Sequence, residues 1–152
     1  MKKIITLVLV TVCTISMSFA ATDKNPANEK VVNSFKQAFA EAENITWRQL
    51  DGEDIFKASF SYNNEKVEAF YNTEGEMVAT ARYITLKQLP LAVVQSLREN
   101  YDTYIPEQEV VEYSDAGETA YYVRLAGKKA VVTVKASANG DLSVFKKEKR
   151  KV

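Results

Sequence analysis

The feature that most constrains this 152-residue chain is an alternation of apolar and polar residues in consecutive short runs. In one run, Phe56, Ala58 and Phe60 alternate with Lys57 and Ser59. A period of two places successive side chains on opposite faces of a strand, so each run predicts a half-buried β-strand. Eight runs occur in two groups of four, and tight turns separate them. The chain therefore predicts antiparallel β-structure.

A helical pattern precedes each group of strands. Asn25 and Pro26 form a helix start, and the apolar residues after them recur at the spacing of one helical face, so we expect a first helix that ends near Glu43. Before the second group, the segment 85–88 has the form of a capping box, and Pro90 should divide a short helical turn from a longer helix. The residues on the face of the first helix are Val32, Phe35, Phe39 and Ala42.

The two groups of strands align at an offset of 65 residues. Gly52 then meets Gly117, Gly75 meets Gly140, and eight apolar positions also coincide. Turn glycines that match at both ends indicate an internal duplication. We therefore predict an α+β fold of two tandem repeats, each a helix or helix-loop-helix packed on a four-stranded antiparallel sheet. The predicted boundaries are residues 21–84 for the first repeat and 85–147 for the second.

The first 20 residues predict an export signal that is removed. Lys2 and Lys3 precede an apolar run, and Ser18 and Ala20 lie at the spacing of a signal-peptidase site. Threonine and serine residues interrupt the run, which is short for a membrane span of about 20 apolar residues. We therefore expect an exported protein, periplasmic or extracellular, that begins at Ala21 and has no stable membrane insertion.

Composition excludes several kinds of chemistry. The only cysteine, Cys13, lies in the signal segment, so the mature chain has no disulfide and must depend on its core. The sequence has no histidine, which removes Ser-His-Asp and Cys-His catalysis and the usual zinc and haem sites. The balanced charge does not suggest nucleic acid binding. We expect no enzymatic activity, no cofactor and no bound metal.

Charged residues gather in turns and at the C-terminus. The acidic groups near Asp51, Glu74 and Asp115 lack the ligand order of a calcium loop, so we interpret them as solvated turn residues. The run from Lys146 to Val152 has five basic residues and one acid. We expect it to be a solvated terminus, with residues 148–152 as a basic tail that could make weak contact with an anionic surface.

A longer motif of core and turn residues runs through the first helix and the first group of strands. It comprises Phe35-x3-Phe39-x4-Asn44-Ile45-x-Trp47, then Phe56-x-Ala58-x-Phe60-x6-Val67-x-Ala69-x-Tyr71-x3-Gly75, and a Leu-Pro helix start. This motif resembles the PepSY-like, β-lactamase-inhibitor-like (BLIP-like) domains of exported bacterial proteins. The resemblance spans nearly the whole mature chain, and it implies tandem helix-plus-four-strand repeats, an envelope or extracellular location and a non-enzymatic binding or inhibitory role.

That resemblance has one departure. The β-lactamase inhibitor itself has disulfides, whereas the mature chain here has no cysteine. The contact residues of that inhibitor cannot be placed on positions of this sequence. Inhibition of a β-lactamase therefore stays an open possibility.

If the helices cover one face of the strands, pleating sends a mixed set of aromatic and basic residues to the other face. Aromatic residues and arginine are enriched at the centres of protein interfaces. We predict five partner-binding residues on this face: Lys57, Phe70, Arg82, Tyr122 and Arg124. The same pleating sends Val131, Lys135 and Phe145 there.

The leading hypothesis is an exported, non-enzymatic module that binds another envelope or extracellular protein through this open sheet face. The alternative is a binder of a small ligand or a cell-wall polymer, held in a groove between the sheet and the helices or between the two repeats.

Overall fold

The computed structural model describes residues 26–150; the predicted export signal and residues 151–152 lie outside this range. The elements follow one another as a helix and four strands, then a 3₁₀ turn, a second helix and four more strands. They are α1 (Glu29–Ala38), β1 (Glu43–Gln49), β2 (Ile55–Tyr62), β3 (Glu65–Asn72), β4 (Met77–Thr85), the 3₁₀ turn (Leu86–Gln88), α2 (Leu91–Asn100), β5 (Ile105–Asp115), β6 (Glu118–Ala126), β7 (Ala130–Ser137) and β8 (Leu142–Lys149).

All eight strands form one antiparallel sheet in the order β1 to β8. The predicted pair of four-stranded sheets, each with its own helix, is wrong because β4 pairs with β5 from Ala79 opposite Asp115 to Thr85 opposite Glu109. Two separate sheets would leave β4 and β5 as edges with rows of unpaired backbone N–H and C=O groups. Pairing these strands removes both edges, so the fold is a single eight-stranded sheet with two short helices. The internal duplication itself stays a prediction.

Both helices lie on the same face of the sheet. Val67 pairs with Arg82, Arg82 with Glu112, and Glu112 with Tyr121. Residues directly opposite each other in neighbouring strands point to the same face. Val67 belongs to the core cluster under α1 and Tyr121 to the cluster under α2. We call this side of the sheet the helix face and the other side the open face.

Arg82 lies on the helix face, so its predicted place on the open face is wrong. The register between β3 and β4 shifts at a β-bulge between Phe70 and Tyr71, which changes the phase of the alternation along β4. Arg82 forms ion pairs with Glu65 at 3.2 Å and with Glu112 at 2.9 Å. These charges occupy a polar strip between the two helix-covered clusters.

The first helix is shorter than predicted at both ends. It is capped by Asn28, whose Oδ1 accepts a hydrogen bond from the backbone N–H of Val31 at 3.0 Å. At the other end Phe39 leaves the helical conformation with φ of −132°. The helix packs through Phe35, whose ring centroid is 5.2 Å from that of Trp47. Trp47 therefore joins the first strand to the helix in the core and is not an isolated surface aromatic.

The start of the second helical region is confirmed. The backbone N–H of Thr85 donates to Oε1 of Gln88 at 2.8 Å, which forms the predicted capping box. Pro90 separates the 3₁₀ turn from α2. Val93 and Leu97 of α2 are buried against the sheet, so α2 covers the second half of the sheet as α1 covers the first.

We expect Gly140→Ala to destabilise the protein more than Gly117→Ala. Both glycines have positive φ, of +92° and +84°, where a Cβ costs about 1 to 2 kcal/mol. A Cβ at Gly140 would also meet the carbonyl oxygen of Ala92 in α2 at 2.8 Å, whereas nothing lies within 4 Å of a Cβ at Gly117. Urea denaturation should show about twice the loss of unfolding free energy for Gly140→Ala. Equal losses would show that the β7–β8 turn does not press against α2.

Candidate partner-binding site

A third apolar cluster fills the middle of the open face. Aromatic rings run across this face from β3 to β8, with centroid separations of 6.5 Å from Phe70 to Tyr113, 6.5 Å from Tyr113 to Tyr122 and 5.1 Å from Tyr122 to Phe145. Small side chains on β4 leave room for the row between β3 and β5. The buried members of the cluster are Leu50, Ile55, Phe70, Ala79, Ala81, Tyr113 and Tyr122.

Phe70 and Tyr122 are on the open face as predicted, but they are not solvent-exposed aromatics. Phe70 is 0% exposed and Tyr122 is 6% exposed. Leu50 and Ile55, at the two ends of the β1–β2 connection, belong to the same cluster and help to bury these rings. The backbone N–H of Leu50 donates to the carbonyl of Ile55 at 2.9 Å, which closes the connection. Phe70 is therefore a core residue, whereas Tyr122 reaches a surface depression.

Lys57 is also on the open face, and its charge is buried. Its Nζ lies 3.1 Å from Oε1 of Glu68, and the side chains are 9% and 1% exposed. The hydroxyl of Ser59 donates to the same oxygen at 3.3 Å. Oε2 of Glu68 has no hydrogen-bond partner among residues 26–150. Lys57 therefore neutralises an internal carboxylate and presents little of its ammonium group to a partner.

Arg124 lies on the open face as predicted, where it is held by two carboxylates. Its guanidinium pairs with Glu107 at 3.1 Å and with Glu148 at 3.4 Å. Glu148 also accepts a hydrogen bond from Lys146, which with the charges of Lys146 and Arg124 lowers the pKa of that carboxyl. The basic segment that begins at Lys146 is part of β8 as far as Lys149. Because β8 is an edge strand, its lysines protect the sheet from pairing with other chains.

A depression of about 580 Å³ opens on this face between the β5–β6 and β7–β8 turns. The tyrosines of the aromatic row form its floor, and charged turn residues surround them. We call the three carboxylates Asp115, Glu118 and Asp141 the acidic rim. Lys135 lies opposite them. The sequence pattern did not single out Tyr113 or Asp141, and it indicated only a turn role for Asp115 and Glu118. Their proximity depends on the pairing of β5, β6 and β7, which alternation alone does not reveal.

The depression combines neutral phenols with excess negative charge. Burial, with a further contribution from Asp115, raises the pKa of Tyr113 to about 12. Tyr113 therefore stays protonated at neutral pH. The depression has three carboxylates and one ammonium group, so it favours binding of a partner's basic side chain over an acidic one. Among residues 26–150, no group of three or more Asp or Glu side chains is placed to hold a metal ion.

We expect stability to fall in alkali because two buried tyrosines resist ionisation. Burial raises the pKa of Tyr71 to about 12, as it does for Tyr113. An unfolded tyrosine has a pKa near 10, so this stability is complete below pH 10 and is lost as the pH rises towards 12. Each group should contribute about 2 to 3 kcal/mol to the fall.

The double variant Tyr71→Phe/Tyr113→Phe tests this expectation. Its unfolding free energy, measured in urea at several values between pH 9 and pH 12, should fall much less steeply than that of the unchanged protein. The hydroxyl of Tyr71 has no hydrogen-bond partner among residues 26–150, so its removal should cost little at neutral pH. Parallel pH profiles for the two proteins would contradict the assignment.

One eight-stranded antiparallel sheet, with two helices on one face and an open opposite face, places the chain in a structural class that includes BLIP-like proteins. A BLIP-like protein of Bacteroides fragilis superimposes with a TM-score of 0.69 and 18% identity, covering 84% of this chain and 89% of that one. A DUF2874 family protein of Bacteroides ovatus gives 0.69 and 17%, with coverage of 84% and 89%. A Bacteroides eggerthii protein, provisionally described as periplasmic, gives 0.70 and 16%, with coverage of 81% and 88%.

These identities establish similarity of fold alone. They agree with the BLIP-like part of the sequence resemblance, whereas its PepSY-like part stays a prediction. Comparison with protein-family models and with curated proteins finds no match. Among the described residues, no helix is long and apolar enough to cross a membrane.

Proposed function

We propose that this protein is an exported, non-enzymatic binding module that holds another protein on the open face of its sheet. The observation that carries the proposal is the depression between the β5–β6 and β7–β8 turns, with a tyrosine floor and an acidic rim. The binding site is thereby displaced from the centre of the open face, where Lys57 and Phe70 are buried, towards the half formed by β5 to β8.

The tyrosine floor suits protein recognition. Tyr113 and Tyr122 are packed edge-to-face in the row, so little side-chain freedom is lost when a partner contacts them. Aromatic anchors in a largely desolvated pocket are typical centres of binding energy in interfaces. The acidic rim adds a charge preference. The partner that fits is a protein loop with a lysine or arginine next to an apolar residue.

The proposal also includes that the protein is exported and that it is not an enzyme. The N-terminal segment has the charge, apolar run and small residues of an export signal. A protein of the same fold from Bacteroides eggerthii is provisionally described as periplasmic, which supports the same compartment here. The sequence has no histidine, and its one cysteine lies in the signal segment. A binding role needs no reactive group.

Reversal of charge on the acidic rim tests the proposal. Glu118 and Asp141 are both exposed, so Glu118→Lys/Asp141→Lys should leave the fold intact. The control is Glu41→Lys/Glu99→Lys, which makes the same change of charge at exposed positions outside the open face. Each protein is immobilised and exposed to an envelope extract of the source organism, and captured proteins are identified by mass spectrometry.

We expect a protein that the unchanged module and the control both capture, and that the rim variant loses at least tenfold. Equal capture by all three would contradict binding at the rim. Retention on insoluble cell-wall polymer that needs the same two carboxylates would instead favour the polymer-binding alternative.

A further inference from the structure

The helix face contains an apolar groove that no core side chain fills. It has a volume of about 560 Å³ and lies beside α2, between the 3₁₀ turn and the ends of β5 and β6. Volumes of about 300 to 1,000 Å³ are typical of small-molecule sites. Its apolar lining includes Leu86, Val94, Leu97, Tyr101, Tyr104 and Leu125.

The far wall of the groove is held in place by close packing. The ring of Tyr104 stands edge-to-face against that of Tyr101, with centroids 5.6 Å apart. A Cβ at Gly127 would come within 2.6 Å of Cε1 of Tyr104, so the missing side chain at Gly127 is what lets the ring lie against the β6–β7 turn. Leu125 beneath is fully buried. The groove is therefore bounded by a packed wall and a packed floor.

The rim of the groove contains two cations that have no ion-pair partner among the described residues. Lys87 projects from the 3₁₀ turn and Arg98 from the last turn of α2, and both are exposed. The other rim charge is Asp102, so cations are in excess. Arg82 and Arg124, by contrast, each pair with two carboxylates. An apolar trough with free cations at its edge complements an anion attached to an apolar chain.

We propose that this groove binds a single-chain amphiphile with a carboxylate head group, that is, a fatty acid anion. The alkyl chain lies along Leu86, Val94 and Tyr104, above the buried side chains of Leu97 and Leu125, and the carboxylate is held by Lys87 and Arg98. Neither end of the site belongs to the open face, so the inference is independent of partner binding there.

The test uses dodecanoate with the purified protein, below the concentration at which the probe forms micelles. Calorimetry measures affinity, and methyl NMR shifts of Leu97 and Leu125 report where the probe lies. Dodecanol and dodecylamine have the same chain with a neutral or a cationic head. We expect dodecanoate to bind at least tenfold more tightly than dodecylamine and to shift both methyl signals.

Two variants separate the chain from the head group. Lys87→Glu/Arg98→Glu should weaken dodecanoate binding at least tenfold and leave dodecanol within about twofold. The control Lys36→Glu/Arg48→Glu makes the same substitutions at exposed positions elsewhere and should change neither. Val94→Trp should fill the groove and weaken all three probes, with circular dichroism as the check on folding. Failure of dodecanoate to bind, or equal binding to the unchanged protein and the Lys87→Glu/Arg98→Glu variant, would overturn the proposal.

Discussion

Replacement of Lys57 by alanine should lower the free energy of unfolding by about 3 to 5 kcal/mol, because it leaves the buried carboxylate of Glu68 without its counter-charge. Glu68 is 1% exposed, so its carboxylate is shielded from water in the folded protein. One of its oxygens already has no hydrogen-bond partner among the described residues. The remaining hydrogen bond from Ser59 is too weak to offset a bare charge. Urea denaturation followed by Trp47 fluorescence measures the loss.

The control for this prediction removes both charges together. Lys57→Met/Glu68→Leu replaces the pair with apolar side chains of similar size, and such replacements of buried ion pairs are often neutral or stabilising. We expect the double variant to lie within about 1 kcal/mol of the unchanged protein. A loss of less than about 1 kcal/mol for Lys57→Ala alone would show that the pair is open to water and would return Lys57 to the candidate contact residues.

Phe70→Ala is expected to have an effect of the same size, about 3 to 5 kcal/mol. Phe70 is 0% exposed, and its ring is the β3 end of the aromatic row on the open face. Its loss would leave a cavity among Ala79, Ala81 and Leu50, which are too small or too constrained to fill it. Thermal and urea unfolding both measure this effect.

Leu91→Ala is the matched control, since Leu91 is 80% exposed at the start of α2 and should lose less than about 0.5 kcal/mol. Partner capture by the two variants is a second measurement, which distinguishes a contact role of Phe70 from a core role. If Phe70→Ala keeps full stability and loses capture, Phe70 is a contact residue, as the sequence pattern predicted. Loss of stability would instead confirm that the middle of the open face is core.

Local features of the fold could be predicted because each depends on a few neighbouring residues. The alternation around Phe56 and Ala58 marks a strand without knowledge of its partner. The hydrogen bond between Thr85 and Gln88 closes within a single turn of chain. The expected helix cap, Asn25, in contrast lies outside the described residues, and Asn28 caps the helix that begins at Glu29. Both residues are asparagines, so capping preference alone does not choose between them.

The candidate site was less accessible to sequence reasoning. The sequence pattern predicts Lys57 as a partner-binding residue, and only the position of Glu68 beside it on β3 shows that its ammonium group is paired inside the protein. Tyr113 joins Tyr122 only because β5 and β6 pair in one particular register. Burial of Phe70 also needs Leu50, which lies in the connection between β1 and β2. Each of these contacts depends on strand register. The period-two pattern of a single strand does not specify the register in which that strand pairs with its neighbours.

The amino-acid sequence by itself determined the number and order of strands, the turns that contain glycine, the helix preceding each group of strands and the lack of the usual reactive groups. Those properties follow from the preferences of short segments. Only the tertiary structure decided that β4 and β5 join the two groups into one sheet, that a bulge sends Arg82 to the helix face, and that α2 borders a groove with Lys87 and Arg98 at its rim. These outcomes depend on backbone pairing and packing between segments that are distant in the chain. Several arrangements satisfy the same local pattern. The arrangement that forms is the one that leaves the fewest unpaired backbone groups and buries the most apolar surface.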